Sequence, residues 1–245
     1  IFDHVGFAYD KKQVLRDVSF TAKEGEVTAL VGPSGSGKST IAKMMAGFWD
    51  ATSGTVRFGG QDIRSIPFGQ LMSEISYVAQ DNFLFDKSIR ENIRMGNPDA
   101  SDEEVEAAAK AANCHDFIMQ LEQGYDTMAG DAGDRLSGGE RQRITIARAM
   151  LKQASVIILD EATAYADPEN EALIQQAISK LVAGKSLIVV AHRLNTIRNA
   201  DQILVVANGE IVGRGIQEEL LENCPLYRKM WQDYAGSTEG GAEDV

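Results

Sequence analysis

The chain has 245 residues, of which 44% are hydrophobic and 24% are charged, and its formal net charge is −12. This composition is typical of a folded globular chain with a full core, and it argues against extensive disorder. The strong negative charge would repel a nucleic-acid backbone at long range, so we expect no nucleic-acid partner.

Short apolar runs alternate with helical patterns along most of the chain, which is typical of an α/β fold built on a mainly parallel sheet. Three continuous apolar runs indicate central strands covered on both faces, at Val27–Val31 and at residues 156–159 and 187–191. After the first strand, apolar residues recur at helical spacing at Ile41, Met44, Met45 and Phe48. The glycine-rich stretch before that helix is therefore expected to link a strand to a helix.

A helical insert is predicted from about residue 81 to residue 151. Ser101 and Glu104 form a capping box at the start of one helix. The inner face of this helix continues through Val105, Ala108, Ala109 and Ala112. We therefore divide the chain into a core of residues 1–80 and 152–235 and a helical subdomain of residues 81–151.

The C-terminal part of the chain contains a hairpin signal and a tail. Asn208-Gly209 separates two apolar runs, and both residues tolerate the positive φ that a tight hairpin turn requires. Residues 236–245 are small and acidic, and they are predicted to be an unfolded tail. Cys114 and Cys224 fit no metal-binding or redox spacing, so we expect reduced, cytosolic thiols.

A glycine-rich motif that fits Gly-x4-Gly-Lys-Ser/Thr follows the first predicted strand. Its glycines let the backbone turn so that successive N–H groups face phosphate oxygens, and the following helix adds its positive end. Lys38 can reach the β- and γ-phosphates of a nucleotide, and Ser39 can bind Mg²⁺. The residues of this phosphate loop, which we expect to bind nucleotide, are Gly32, Pro33, Ser34, Gly35, Ser36, Gly37, Lys38, Ser39 and Thr40.

Two adjacent carboxylates, Asp160 and Glu161, end a predicted buried strand at the edge where α/β proteins bind their ligands. Asp160 suits the Mg²⁺ shell, whereas Glu161 can orient and deprotonate an attacking water. The same pair could instead be two exposed acids at the start of a helix. Their combination with the phosphate loop favours the catalytic interpretation.

A third motif runs from Leu136 to Glu140. Ser137 and Glu140 form a capping box, which predicts the start of a helix that packs one face inward. Capping alone does not require two adjacent glycines. Gly138 and Gly139 permit an anion to approach the helix-terminal N–H groups, so the motif predicts a second phosphate-binding surface.

Together the three motifs resemble the ATP-binding-cassette (ABC) ATPases, and the resemblance covers nearly the whole chain. It implies a P-loop NTPase core with a mainly parallel sheet, an N-terminal antiparallel β portion and a helical subdomain insert. It also implies ATP and Mg²⁺ as cofactors and ATP hydrolysis as the activity. Residues 136–140 are similar to the signature motif of the family, in which Ser137, Gly138 and Gly139 would complete the ATP site of the opposite protomer.

The same resemblance assigns roles to four further residues. Tyr9 matches the aromatic residue that stacks on adenine, and His192 matches the switch histidine that contacts the γ-phosphate. Gln80 matches the glutamine that touches Mg²⁺ and water and signals to a transmembrane partner. Asp167 matches the aspartate of a loop that crosses the dimer, although Asp167-Pro168 is also a good helix start. The implied catalytic residues are Glu161, His192, Gln80 and Lys38, and the implied Mg²⁺ ligands are Ser39, Gln80 and Asp160.

Residues 82–93 resemble exporter-type half transporters, in which a membrane domain precedes the ATPase on one chain. The start at Ile1, without methionine or leader, is expected of a domain within such a longer protein. The implied partners are a second ABC ATPase domain, in a homodimer or heterodimer, and a transmembrane domain fused N-terminally. The implied location is the cytoplasmic face of the cell membrane. Residues 164–171 are similar to half transporters linked to siderophore and iron uptake.

Two stretches depart from the common pattern of the family. Residues 164–167 read Ala-Tyr-Ala-Asp where Ser-Ala-Leu-Asp is usual, and Gly130-Asp131 stands where Gly-Glu is common. Three other functions remain open at this point. They are a soluble ABC-type ATPase in DNA repair or translation, a regulatory module that binds ATP without hydrolysing it, and a kinase with the same phosphate loop.

Overall fold

The computed structural model describes residues 1–160, 168–191 and 193–239. The strands in these residues are β1 Phe2–Tyr9, β2 Lys12–Phe20, β3 Val27–Val31, β4 Ser53–Phe58, β5 Gln61–Asp62, β6 Ile75–Val78, β7 Val156–Asp160, β8 Ser186–Val190, β9 Gln202–Ala207 and β10 Glu210–Gly215. The α-helices are α1 Lys38–Met45, α2 Phe68–Glu74, α3 Ile89–Arg94, α4 Asp102–Ala111, α5 His115–Gln120, α6 Gly138–Lys152, α7 Pro168–Val182, α8 Gln217–Asn223 and α9 Pro225–Glu239. Among the described helices, none has the length and apolar character needed to cross a bilayer.

The chain forms two compact units. The first combines Ile1–Met72 with the described residues from Ser186 onward, and the second is Ser73–Lys185. The second unit extends beyond the predicted helical insert at both ends, because it also contains β6 and β7. The subdomain boundaries drawn from the sequence at residues 81 and 151 stay a prediction.

An antiparallel sheet with the strand order β2-β1-β4-β5 opens the first unit. Phe2 pairs with Phe20 across β1 and β2, and the two rings stack with their centroids 4.7 Å apart. Val5 pairs with Val18 in the same ladder, and both side chains are fully buried. This sheet confirms the antiparallel β portion that was expected near the N-terminus.

Strand β3 occupies the centre of the parallel sheet of the first unit, where it pairs in parallel with both β8 and β9. Its residues Ala29 and Val31 join a buried cluster, and Thr28, the one polar residue of the strand, is fully buried as well, as expected of a strand covered on both faces. The predicted hairpin is present as well, since β9 and β10 pair in antiparallel fashion. Asn208 and Gly209 form its turn with φ angles of 52° and 80°.

Helix α1 is shorter than the apolar pattern predicted. It ends at Met45, and Gly47 then reverses the chain with a φ of 72°. The N–H of Gly47 donates to the carbonyl of Met44, and the N–H of Phe48 donates to that of Lys43, each at 3.0 Å. These are the two bonds of a Schellman cap, so Phe48 lies outside the helix and is 44% exposed.

The second unit contains the predicted central strand β7 and a group of helices. Strand β7 pairs in parallel with β6, and Val78 lies opposite Leu159. Helix α6 is the centre of the helical group, and α3, α4 and α7 contact it. Its residues Ile144 and Ile146 are fully buried.

Capping boxes begin several helices of the second unit. The predicted box at Ser101 is present, with the N–H of Glu104 donating to the serine hydroxyl at 3.3 Å and the glutamate accepting from the N–H of Ser101 at 2.8 Å. A box that the sequence analysis did not consider begins α3 at Ser88, with Glu91 as its carboxylate. In each box the serine side chain therefore fixes the residue at which the helix begins.

The C-terminal helix corrects the predicted tail. Helix α9 continues to Glu239, so residues 236–239, which were assigned to an unfolded tail, are helical. Before this segment, Met230, Trp231 and Tyr234 of the same helix pack against the buried cluster of the first unit. Residues 240–245 lie outside the described residues.

Both cysteines are free and buried. Burial raises the pKa of the Cys114 thiol to about 12, so this group stays protonated at neutral pH. A protonated, buried thiol is a poor nucleophile, in agreement with the expectation of reduced thiols.

Replacing Ser101 with alanine tests the contribution of a cap. The substitution Ser101→Ala removes the hydroxyl that accepts the N–H of Glu104, so we expect a loss of about 1 kcal/mol in the free energy of unfolding. Urea unfolding followed by far-UV circular dichroism measures the loss. A change well below 0.5 kcal/mol would contradict the role given to the cap.

Candidate active site

The phosphate loop connects β3 to α1 in the first unit, as the sequence predicts. Gly35 and Gly37 have φ angles of 75° and 109°, which favour glycine. Gly32, with a φ of 146°, lies so close to β9 that a Cβ atom would be 2.0 Å from the carbonyl oxygen of Val206. Around Gly35, in contrast, a Cβ atom would meet no atom within 4 Å. The space next to Gly35 is thus open.

The base of the loop is buried and polar. Lys38 is 5% exposed, and its ammonium donates to the carbonyl oxygens of Gly32 at 2.9 Å and Pro33 at 3.0 Å. The Ser36 hydroxyl is also buried, and it has no hydrogen-bond partner among the described residues. A buried hydroxyl without a partner costs free energy unless a ligand satisfies it. A positive charge and an unsatisfied hydroxyl within one loop fit a polyphosphate ligand.

The hairpin of β9 and β10 supports the phosphate loop. The sequence did not predict this contact. The N–H of Gly209 donates to the carbonyl of Ser36 at 3.1 Å, and the carbonyl of Gly209 accepts from the N–H of Arg16 at 2.8 Å. A Cβ atom at Gly209 would lie 2.1 Å from the carbonyl oxygen of Val14. The dipeptide Asn208-Gly209 predicts a turn, but nothing local in the sequence indicates which loop that turn contacts.

Tyr9 is the last residue of β1 and lies beside the start of α1. Its hydroxyl is 3.5 Å from the Thr40 hydroxyl, and its side chain is 36% exposed. The Phe7 ring packs perpendicular to the Tyr9 ring at a centroid distance of 4.7 Å. The structure therefore brings the predicted aromatic residue close to the phosphate loop within the first unit.

Asp160 ends β7 in the second unit and is 6% exposed. One of its carboxylate oxygens accepts a hydrogen bond of 2.6 Å from the Tyr77 hydroxyl, a partner that the sequence did not reveal. Gln80 follows β6, which pairs in parallel with β7, so Gln80 and Asp160 lie at the same edge of this strand pair. Gln80 is exposed. Carboxylate and amide oxygens at one strand edge suit Mg²⁺ together with oxygens of a nucleotide.

The Ser137 motif begins α6, a helix of 15 residues. The N–H of Glu140 donates to the Ser137 hydroxyl at 3.3 Å, and the Glu140 carboxylate accepts from the N–H of Ser137 at 2.8 Å. Ser137 is exposed and Gly138 is half-buried. The Ser137 hydroxyl hydrogen and the N–H groups of the first turn are thus placed where an anion could bind.

The two glycines of this motif differ in their surroundings. Gly139 is buried, and a Cβ atom there would lie 3.0 Å from the side chain of Asn170. Arg143 also donates to the Asn170 amide oxygen, so α6 and α7 meet closely at this point. Gly139 therefore serves helix packing, whereas Gly138 is the more accessible of the pair. Arg141 fixes the approach to the helix by donating to the carbonyl of Leu136 at 2.7 Å.

The predicted site residues are divided between the two units. The first unit holds Tyr9 and the phosphate loop, and the second holds Gln80, Asp160 and the Ser137 motif. Three predicted residues, Glu161, Asp167 and His192, lie outside the described residues. The roles of all these side chains stay predictions.

Comparisons with known proteins identify the family. The family model described as ABC transporter matches residues 15–164. The chain belongs to this family. Its fold class, a P-loop NTPase with an antiparallel N-terminal sheet and a mostly parallel second sheet, is the one that the sequence analysis predicted. This ABC domain is a nucleotide-binding domain, and the family binds ATP.

Several curated relatives resemble the chain closely. It is 50% identical over 238 residues to the mycobactin import ATP-binding/permease protein IrtA of Mycobacterium tuberculosis, covering 97% of this chain and 28% of that protein. It is 49% identical over 239 residues to human ATP-binding cassette sub-family B member 6, with 97% and 28% covered. The heavy metal tolerance protein of Schizosaccharomyces pombe is 49% identical over 241 residues, with 97% and 29% covered. The ABC domain thus spans less than a third of the length of these relatives.

A solved structure shares the fold. A bacterial Atm1-family ABC exporter with ATP bound superimposes with a TM-score of 0.90 and 41% identity. The match covers 96% of this chain and 41% of that one. The predicted resemblance to the ATP-binding domain of exporter-type ABC proteins is therefore confirmed.

The support of the phosphate loop by the hairpin can be tested with Gly209→Ala. The new Cβ would meet the Val14 carbonyl at 2.1 Å, so we expect the turn to shift, the Ser36 carbonyl to lose its donor and the affinity for ATP to fall at least several-fold. Gly25→Ala is the matched control, because Gly25 also has a positive φ, of 73°, but a Cβ there meets nothing within 4 Å. Calorimetric titration with ATP measures both variants. Equal affinities in the two variants would contradict the proposed support.

Proposed function

We propose that this chain binds and hydrolyses ATP and, as a head-to-tail pair with a second ABC domain, powers transport by a fused membrane domain. The observation that carries the proposal is the presence of two anion-binding surfaces of different construction in one chain. The phosphate loop combines a buried ammonium with a buried hydroxyl that has no hydrogen-bond partner among the residues described. The start of α6 offers an exposed serine and helix N–H groups. A polyphosphate shared by two chains would use both surfaces.

The phosphate loop supplies the charge and the hydrogen bonds for binding. Lys38, now held by two loop carbonyls, would turn its ammonium toward the β- and γ-phosphates. The Ser36 hydroxyl would gain an acceptor that the described residues do not give it. The Tyr9 ring, exposed near Thr40, would stack on adenine.

Mg²⁺ fits the oxygen donors that the chain offers. Ser39, Gln80 and Asp160 would hold it, and when bound it would neutralise charge on the phosphate oxygens during phosphoryl transfer. The bond from the Tyr77 hydroxyl would keep the Asp160 carboxylate in one orientation. Such a supporting hydrogen bond is the usual way that proteins orient a metal ligand.

Hydrolysis requires a base next to the attacking water. We assign this role to Glu161, which would accept a proton from water as the water oxygen attacks the γ-phosphorus and the bond to the β-phosphate oxygen breaks. Gln80 would orient this water, and His192 would contact the γ-phosphate. The products are ADP and inorganic phosphate.

The second ABC domain would contribute Ser137, Gly138 and Asp167 to the same nucleotide. ATP binding favours the closed pair only by the difference in its affinity for the closed and open forms, so contacts from both chains are what drive closure. Loss of the γ-phosphate would remove the contact that joins the two domains and would allow the pair to reopen. Since one chain carries every one of these motifs, a homodimer could contain two complete sites, and a heterodimer is equally compatible.

The remainder of the transporter is assigned from the relatives. Coverage of less than a third of each relative supports a half transporter with a membrane domain fused to the ATPase, which would place the ABC domain at the cytoplasmic face of the membrane. The relative named for mycobactin import supports the expectation, based on residues 164–171, of a cargo linked to siderophore or iron uptake. The Atm1-family exporter supports an exporter-type architecture.

A regulatory module that binds ATP without hydrolysing it is the alternative, and the presence of Glu161 and His192 in the sequence argues against it. Substitution of the base separates the two functions. In Glu161→Gln the affinity for ATP should persist, while turnover should fall by about 10²- to 10⁴-fold. A phosphate-release assay measures this change, and an unmodified chain without turnover would support the regulatory module.

The Glu161→Gln chain also tests the shared site. With ATP and Mg²⁺, and without hydrolysis to reopen the pair, we expect a monomer to become a dimer, measured by size-exclusion chromatography with light scattering. ADP in place of ATP is the control, because it lacks the γ-phosphate bridge. A chain that binds ATP and stays monomeric would contradict closure by this domain alone.

Ser137 and Ser101 each cap a helix in the same way, so their alanine variants can be compared directly. Both hydroxyls accept an N–H at 3.3 Å from a glutamate in a capping box, so Ser137→Ala and Ser101→Ala should lose similar stability, about 1 kcal/mol each. Only Ser137→Ala should also reduce ATP turnover, by tenfold or more, because its hydroxyl would contact the nucleotide of the partner. Equal turnover in the two variants would limit Ser137 to capping.

A further inference from the structure

Trp49 forms an aromatic cluster with Tyr9 and Phe7. The ring of Trp49 is perpendicular to that of Tyr9, with the centroids 5.3 Å apart, and its ring lies 5.9 Å from that of Phe7. Phe7 is buried, at 4% exposure, but Trp49 is 43% exposed. Trp49 is thus an exposed aromatic side chain in direct contact with the candidate ligand-binding ring of Tyr9.

The position of Trp49 along the chain is fixed by α1. It follows directly after the Schellman cap that ends this helix, in which the N–H groups of Gly47 and Phe48 bond back to carbonyls of the last turn. Thr40, whose hydroxyl lies 3.5 Å from that of Tyr9, belongs to the first turn of the same helix. Tyr9 is thus contacted by the first turn of α1 and by the segment that follows the C-terminal cap of this helix.

Tyr9 itself has little else to hold its ring. It is the last residue of β1, and the next residue, Asp10, enters the turn with a φ of 51°. The hydroxyl contact with Thr40, at 3.5 Å, is at the outer limit of a hydrogen bond. The orientation of the ring therefore depends on the perpendicular contacts with Phe7 and Trp49, a geometry that aromatic pairs favour.

We propose that Trp49 is a positioning residue for the base of the nucleotide, acting through Tyr9. It holds the Tyr9 ring in the orientation needed for stacking. Because Trp49 follows α1 along the chain, it also connects this orientation to the position of that helix. This inference rests on the proposed contact between Tyr9 and adenine. It assigns to Trp49 part of the affinity for the adenine moiety of ATP, without contact between Trp49 and the phosphates.

A double-mutant cycle tests the inference on the 245-residue chain. The dissociation constant of ATP is measured calorimetrically for wild type, Trp49→Ala, Tyr9→Ala and the double variant. Since an aromatic pair affects binding by about 2- to 10-fold, we expect Trp49→Ala to weaken ATP binding by that factor. The double variant should bind no more weakly than Tyr9→Ala, because Trp49 acts through Tyr9. Trp49→Phe, which keeps an aromatic ring, should restore most of the affinity.

The outcomes separate the two proposals. If Tyr9→Ala leaves the affinity for ATP unchanged, the adenine contact assigned to Tyr9 is wrong and the role of Trp49 falls with it. If Tyr9→Ala weakens binding but Trp49→Ala does not, or if the two effects add in the double variant, the adenine contact stands and the positioning role is overturned. An additive result would mean that Trp49 touches the base or supports the fold independently.

Fluorescence provides a readout that a purely structural role would not move. The chain has two tryptophans, so Trp231→Phe leaves Trp49 as its only one. We expect the emission of Trp49 to change on titration with ATP, with the same midpoint as in calorimetry, and to change much less with inorganic triphosphate, which has no base. An emission that responds equally to the two ligands, or to neither, would overturn the inference.

Discussion

The phosphate loop depends on a backbone conformation that its own residues cannot maintain alone. Gly35 and Gly37 adopt positive φ angles, and Gly32 lies against β9 with no room for a side chain. Such a loop offers its N–H groups to a ligand only if something else fixes the chain, because glycine also loses the most conformational entropy on folding. The hairpin turn at Gly209 supplies this restraint by donating to the Ser36 carbonyl. The phosphate loop is thus hydrogen-bonded to a residue far away in the sequence.

The two candidate phosphate-binding helices differ in how their first N–H groups are capped, and this decides how many of these groups are left for an anion. Helix α1 begins after Gly37, whose lack of a side chain leaves the first-turn N–H groups to a ligand, and Lys38 adds a positive charge. Helix α6 begins with a capping box, in which Ser137 and Glu140 satisfy each other and only part of the helix terminus is left for an anion. We therefore expect the first helix to offer more of its N–H groups to a polyphosphate than the second.

The aromatic cluster around Tyr9 would connect the proposed adenine contact to the helix that follows the phosphate loop. Tyr9 contacts Thr40 in the first turn of this helix and Trp49 in the segment after its C-terminal cap. If Tyr9 stacks on adenine as proposed, the orientation of its ring would depend on packing around α1 and not on Tyr9 alone.

The sequence by itself determined the elements whose cause is local. The phosphate loop, the capping boxes at Ser101 and Ser137 and the hairpin at Asn208-Gly209 follow from residues within a few positions of each other, and the structure has each of them. Local patterns failed for residues 236–239, which continue α9, a helix whose aromatic residues Trp231 and Tyr234 pack against a core cluster formed by distant segments. Only the tertiary structure decided that Gly209 supports Ser36, that Tyr77 holds Asp160 and that Trp49 packs on Tyr9. These contacts join residues that are distant along the chain, and neither helical nor strand periodicity carries information about such pairs.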